Sequence, residues 1–417
     1  FDDLLAAKRI TTSDVSFAIP RRNWTTGTVY DYYRHDYGNR VTGGTTTQTA
    51  NSGATNLFDA TFYVLNSANN VYKVLDNNSN GASTVEPTGT STTVLSTADG
   101  YKWKYMYTLS ASEQSNFLST DFMGVSTNST VSSAAVDGSI DCIKIKSAGS
   151  GGADGTHAVT IKGDGSSAAA NVVVSGGTIT SVTMTNVGSG YTFGTVSNAE
   201  IVAAGATSLT GAELDVIISP KGGHGFNAIE ELGGFFVMLN VNLEGTESAN
   251  SGDFHAGNDF RKIALLRDPK SGGSAASAST LRGTKAVRIN STPTPGTFVV
   301  DEELNQATTG AVGKVVEWDS TNRILYYIQT RHNDAGVDAN GNLTAFSSTH
   351  VITGQTSSAT GTPETSVSAT INNVVFSSGY STPEIDHDSG DVLYIENRAP
   401  IQRATDQTEN IKLVIEF

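Results

Sequence analysis

Period-two alternation, cut at short intervals by turn residues, constrains this chain more than any other feature. The clearest case is 101–109 (YKWKYMYTL), which follows the turn pair Asp99-Gly100. Tyr101, Trp103, Tyr105 and Tyr107 fall on one strand face, and Lys102, Lys104 and Met106 on the other. The same pattern recurs in AVTIK, NVVV, TITSVTM and AELDVII, and at the C-terminus in DVLYIEN and IKLVIEF. In the last of these Ile411, Leu413, Ile415 and Phe417 share one face, with Lys412 and Glu416 opposite. A chain with 43 Gly among 417 residues and few strong helix formers is built of strands and turns.

Turn chemistry places hairpins at 67–70, at Gly176-Gly177 and at 319–322. Residues 28–46, with Tyr30, Tyr32, Tyr33 and Tyr37, read as further strands. Pro20 breaks any regular element within SFAIPRRNW (16–24). Helices are short. Ser110 and Glu113 form a capping box before Phe117 and Leu118. A second helix at 228–232 stops at Gly233-Gly234. Phe1 to Lys8 reads as a helix end, with Leu4, Leu5 and Lys8 at helical spacing.

Composition shifts divide the chain, whose length suits roughly two to three domains. Residues 1–146 form the first part of a core and 147–222 an inserted Gly/Ser-rich β-domain. The core continues over 223–270, a second β-rich insertion covers 271–375, and 376–417 supplies the C-terminal core strands. No period of 20–50 residues repeats three times.

The formal net charge is −15 and no cluster of Lys and Arg is visible, which disfavours nucleic acid and anionic membranes as partners. No apolar run is long enough to span a bilayer. Cys142 is the one cysteine, so packing rather than an intrachain disulfide holds the fold, as suits a reducing cytoplasm. The acidic start FDDLLAAKR is not a signal peptide, and without an initiator Met the polypeptide is expected to be longer at its N-terminus.

Chemistry-bearing motifs are scarce. His35, His157, His224, His255, His332, His350 and His387 are scattered singly without zinc-ligand spacing, as surface or interface histidines are. DNNSNG (76–81) begins like a calcium loop, but Pro87 stands where the closing acid belongs, which favours a plain turn. DHDSGD (386–391) reads as a solvated acidic turn. GSGYTFG (188–194) lacks dinucleotide-fingerprint spacing, no nucleophile elbow or phosphate loop exists, and Cys142 has no nucleophile motif around it. No catalytic, cofactor-binding or metal residue is expected. Arg21 and Arg22 beside Trp24, and Arg398 after a strand, are candidates for an interface or for ordering loops, and Trp103 joins them.

Four segments carry a resemblance: AIPRRNW (18–24), DGYKWKYMYTL (99–109), NDFRKIALLRDP (258–269) and SGDVLYIENRAPIQRATDQTENIKLVIEF (389–417). In sequence, order and spacing they resemble the dimeric baseplate wedge subunit of T-even-type contractile-tailed phages. The resemblance covers about half the chain and leaves out 147–222 and most of 271–375. It implies a multi-layered β-sandwich core with short helices in loops, which with the composition reading gives a mainly β fold carrying two inserted β-rich regions. It further implies a homodimer that meets other wedge proteins around a central hub, without catalysis, cofactor or small-molecule substrate. The expected location is the tail baseplate of a virion, after synthesis in the host cytoplasm. The alternatives are a host-surface adhesin, with Tyr191 or Trp318 stacking on glycan, and a tail-associated hydrolase.

Overall fold

The computed structural model describes residues 1–34, 37, 41–42, 45–46, 50–246, 252–258, 262–398, 404 and 407–417. His35, parts of the 28–46 stretch, and residues 259–261, 399–403 and 405–406 of the resembling segments lie outside them. The protein is mainly β, as expected, with short α-helices at Ala111–Phe117, Ser129–Ala134, Asn198–Ala203 and Ala228–Leu232 among the described residues. It forms two compact units, one of residues 13–239 and 413–417, the other of residues 1–12 and 240–412.

In the 13–239 unit the central sheet is antiparallel, in the order Tyr63–Leu65, Asn70–Asp76, Lys102–Thr108, Leu95–Ser96. The expected hairpin between Leu65 and Asn70 forms, with Asn69 in the left-handed region at φ 61°. The alternation along Lys102–Thr108 holds only as far as Tyr105. Val71 faces Tyr107 and Tyr72 faces Tyr105, so Met106 is an extra residue, a β-bulge. Tyr101, Trp103 and Tyr105 join one apolar cluster with Tyr30, Val64 and Val74. Tyr107, shifted by the bulge, joins Met106, Phe62 and Leu75 in another. Sequence alternation misassigns Tyr107 because one inserted residue reverses every face beyond it.

Within 28–46, Val41–Thr42 and Thr45–Thr46 pair as short strands, as expected, but Tyr30, Tyr32, Tyr33 and Tyr37 lie on no strand. Tyr30, Tyr33 and Tyr37 are instead buried, and the segment is held by packing together with hydrogen bonds such as that from the Tyr33 amide to the Val74 carbonyl at 2.8 Å. The Ser110–Glu113 capping box forms, and Gly233 ends Ala228–Leu232 in the left-handed conformation at φ 79°. Two helices escaped the sequence reading, Ser129–Ala134 under an Asn128 cap and Asn198–Ala203 under a Ser197–Glu200 capping box.

Residues 140–218 carry a core of their own. Ile140–Ser150 pairs with Thr210–Ile218, and Gly155–Thr160, Ala169–Ser175 and Thr178–Asn186 make a three-stranded meander. Val159, Ile161, Val172, Val174, Tyr191 and Ile201 fill it. Gly176 and Gly177, both at positive φ (62° and 78°), close the expected tight hairpin.

In the 240–412 unit a seven-stranded sheet includes the expected hairpin of Ala311–Asp319 and Ile324–Ile328. Val287, Leu304, Val315, Leu325, Tyr327 and Ile352 fill its core. The expected N-terminal helix end is a strand. Ala6–Lys8 pairs with Thr280–Arg282, because a distant strand supplies backbone partners and three residues are too few to show a period. Lys262–Arg267 pairs antiparallel with Asp391–Asn397 as a separate two-stranded ribbon.

Candidate functional site

Arg22 sits two residues past the end of the strand Val15–Pro20. Its guanidinium lies 4.5 Å from the centre of the Tyr63 ring. It donates to the carbonyls of Ala60, of Phe58 at 3.0 Å and of Asp59 at 3.4 Å. A planar fork with several donors suits three converging carbonyls, which a lysine ammonium does not match. Arg21 donates to Asn23 Oδ1 at 2.9 Å and to the Ser119 carbonyl at 2.8 Å. Both arginines therefore tie loops together inside their unit. Arg22→Ala is expected to lower stability by about 2 kcal/mol, with Arg22→Lys restoring little. Urea unfolding followed by tryptophan fluorescence measures both.

Trp24 is half-buried and donates from Nε1 to Ser83 Oγ at 3.0 Å. Trp103 is fully buried, stacked on Tyr101 at 5.2 Å and 21°. It is a core residue, not an exposed interface residue, because the faces of its strand are both covered. In the other unit Arg398 is held by carboxylates, with Nη1 donating to Glu409 at 2.7 Å and Nε to Glu396 at 3.1 Å. That arrangement ties the end of Asp391–Asn397 to Glu409. The residues after it, Ala399 and Pro400, lie outside the described ones.

The acidic side chains of the turn motifs already have partners within the chain. Within DNNSNG, Asp76 Oδ1 accepts from the Asn78 amide at 3.0 Å, and Asn78, Ser79 and Asn80 all take positive φ (47°, 54° and 64°). In DHDSGD, Asp386 accepts from the amides of Gly272 and Gly273 at 2.9 and 2.7 Å, and Asp391 meets Arg267 at 2.5 Å. Among the described residues no three His, Cys, Asp or Glu side chains gather as a metal site would require. Burial pushes the Cys142 thiol up to about 12, which leaves it protonated and unreactive at neutral pH. Tyr191 is buried, at 3% exposure, and Trp318 packs edge-on against Phe298 at 5.3 Å. Tyr191 thus presents no open stacking face, while Trp318 is partly buried.

Two features were missed at the level of sequence. The first is the ribbon of Lys262–Arg267 and Asp391–Asn397. Consecutive residues Val392, Leu393, Tyr394 and Ile395 are 50%, 56%, 45% and 56% exposed. Successive strand residues point to opposite faces, so apolar side chains stand open on both. Ala264 pairs with Ile395 and Leu265 with Tyr394, and a bulge follows before Leu266 pairs with Val392. Each strand pairs only with the other among the described residues. The detectable signal is the unbroken run VLYI, which is the composition of a strand covered on both faces.

The second is a set of buried cations in the 13–239 unit. Lys73 is fully buried and paired with Glu231, with its ammonium 4.7 Å from the centre of the Tyr33 ring. Burial weakens its hold on its proton, while Glu231 acts the other way. Lys144 lies 4.1 Å from the centre of the Tyr32 ring and 3.5 Å from Asp76. Lys104, 4% exposed, donates to the Thr92 carbonyl at 2.6 Å. Comparison with family models, with curated proteins and with solved structures finds no match for this chain.

Proposed function

We propose that the chain is a structural subunit of a contractile-tail baseplate wedge, working as a homodimer that docks onto other wedge proteins. The observation that carries this reading is the ribbon. Two of the segments that resemble the wedge subunit, 258–269 and 389–417, pair with each other there, and their apolar side chains stand exposed on both faces. A two-stranded ribbon is marginal in water on its own, and a contiguous exposed apolar patch marks an interaction site. The proposed role is mechanical: wedges hold one arrangement of the tail end until contact with a host shifts the assembly to another.

The reading is tested by the mass of the intact chain in sedimentation equilibrium. A dimer is expected at micromolar concentration, burying above about 2,000 Å² as obligate interfaces do; a monomer overturns it. Leu393→Lys with Ile395→Lys is expected to shift the mass to monomer while the far-ultraviolet dichroism is retained. A dimer unaffected by those changes places the contact elsewhere and removes the ribbon as its carrier.

A further inference from the structure

His224 lies in a loop that is pressed into the 13–239 unit. Residues 219–227 (SPKGGHGFN) join the strand Thr210–Ile218 to the helix Ala228–Leu232. Gly222, Gly223 and Gly225, which bracket the histidine, take φ of 87°, 105° and 88°, a region that side chains other than glycine rarely adopt. They also allow close approach. A Cβ on Gly223 would come within 2.5 Å of the Val136 backbone, and one on Gly225 within 2.3 Å of the Val131 side chain. The Gly222 amide donates to Asp137 at 2.6 Å, and Ser132 Oγ donates to the Phe226 carbonyl at 2.8 Å.

The seated imidazole is 1% exposed, edge-on to the Tyr33 ring at 5.1 Å and 85°. Neither ring nitrogen has a hydrogen-bond partner among the described residues. The strand Asn70–Asp76 contributes Lys73 to this surrounding, and Lys102–Thr108 contributes Lys104. Asp141, on Ile140–Ser150, acts on Lys73. Glu231, from the helix that follows the loop, is engaged with Lys73 and accepts from the amides of Gly225 at 2.7 Å and Asn227 at 3.4 Å. A neutral imidazole fits against the tyrosine ring. An imidazolium would be buried beside two ammonium groups, and the Glu231 carboxylate is already engaged by Lys73 and the Gly225 amide.

We infer that His224 is an acid-sensitive plug: protonation of its ring releases the 219–227 loop from its seat in the 13–239 unit. Burial, then Lys73 and Lys104, hold its proton affinity well below the ordinary histidine range while the loop is seated. The released loop regains ordinary affinity, near 6.5. The seated state therefore keeps its full advantage above about pH 6.5 and loses it below, because only the open state takes up the proton. For one such proton the opening constant rises about 25-fold between pH 7 and pH 5. The inference is independent of the wedge reading.

Hydrogen exchange of the Gly222–Phe226 amides in the full chain, corrected for intrinsic rates, measures that opening. The wild type is expected to show the rise, and His224→Phe, which keeps a ring against Tyr33 but carries no titrating group, to show none. An equal rise in both, or none in the wild type, overturns the inference. Where the variant does not fold, the imidazole resonance of His224 in the wild-type chain decides. A ring that stays neutral at pH 5 while seated supports the plug, and a ring that titrates near 6.5 in the folded chain overturns it.

Discussion

Glu231→Ala lowers the stability of the 13–239 unit by about 3–5 kcal/mol. Lys73 is fully buried, and among the described residues its ammonium is ion-paired with one carboxylate, Glu231, supplied across 158 positions of sequence. Removing Glu231 leaves an uncompensated charge in the core and also strips the acceptor from the Gly225 amide. The companion result separates this from a packing effect. Lys73→Met combined with Glu231→Leu removes both charges and leaves apolar side chains of similar volume, so it costs far less than the single change. Urea unfolding is the measurement. Trp24 and Trp103 report on this unit and Trp318 on the other, so Trp318→Phe in the background isolates the transition of interest, as a chain of two units is not one two-state system. A single mutant as stable as the wild type would mean that Lys73 is neutral in the fold, or that water reaches it.

Trp103→Ala costs about 3–5 kcal/mol in the same unit, for a different reason. The indole is completely enclosed, stacked on Tyr101 and edge-on to Tyr30 at 6.1 Å. Its Nε1 donates to Thr97 Oγ1 at 3.1 Å. Truncation removes these ring contacts and leaves a cavity that the surrounding tyrosines cannot close without losing bonds of their own. Tyr101 is fixed by its hydroxyl on the Gly81 carbonyl at 2.7 Å, and Tyr30 by a 2.7 Å bond from the Thr25 amide. Trp103→Phe keeps much of the burial and is expected to cost about 1–3 kcal/mol. With Trp103 removed, Trp24 fluorescence follows the unfolding, and a midpoint shifted equally by both variants would place the energy in the hydrogen bond rather than in the packed ring.

The legible parts of this fold share a short range. The Ser110–Glu113 capping box, the Gly233 stop and the Gly176-Gly177 turn each depend on backbone groups three or four residues apart, and each formed as the local chemistry required. The hairpin between Ala311–Asp319 and Ile324–Ile328 is of the same kind. Asp386 was legible as part of a turn, though its amide partners Gly272 and Gly273 were not.

Longer-range outcomes were not legible. One extra residue, Met106, moves Tyr107 into a different cluster, and the bulge is seen only when Asn70–Asp76 is laid beside it. Ala6–Lys8 takes strand geometry from Thr280–Arg282, more than 270 positions away. Among the candidate residues, Arg21, Arg22 and Arg398 were marked by charge beside aromatic or turn residues, but their acceptors are carbonyls and carboxylates that spacing does not reveal. Trp103 showed its strand and not its enclosure. His224 stood among seven scattered histidines with nothing in its neighbours but glycine to set it apart.

The amino-acid order thus specified strands, turns and caps, since propensity and hydrogen bonds within a few residues act before the chain closes any long loop. It also specified the run VLYI, whose apolar character was plain. Burial belongs to a different scale. Whether Val392–Ile395 are covered, whether Lys73 finds a carboxylate and whether His224 is sealed from water depend on segments tens to hundreds of residues apart. Those contacts form only when the folded core offsets the entropy of bringing the segments together.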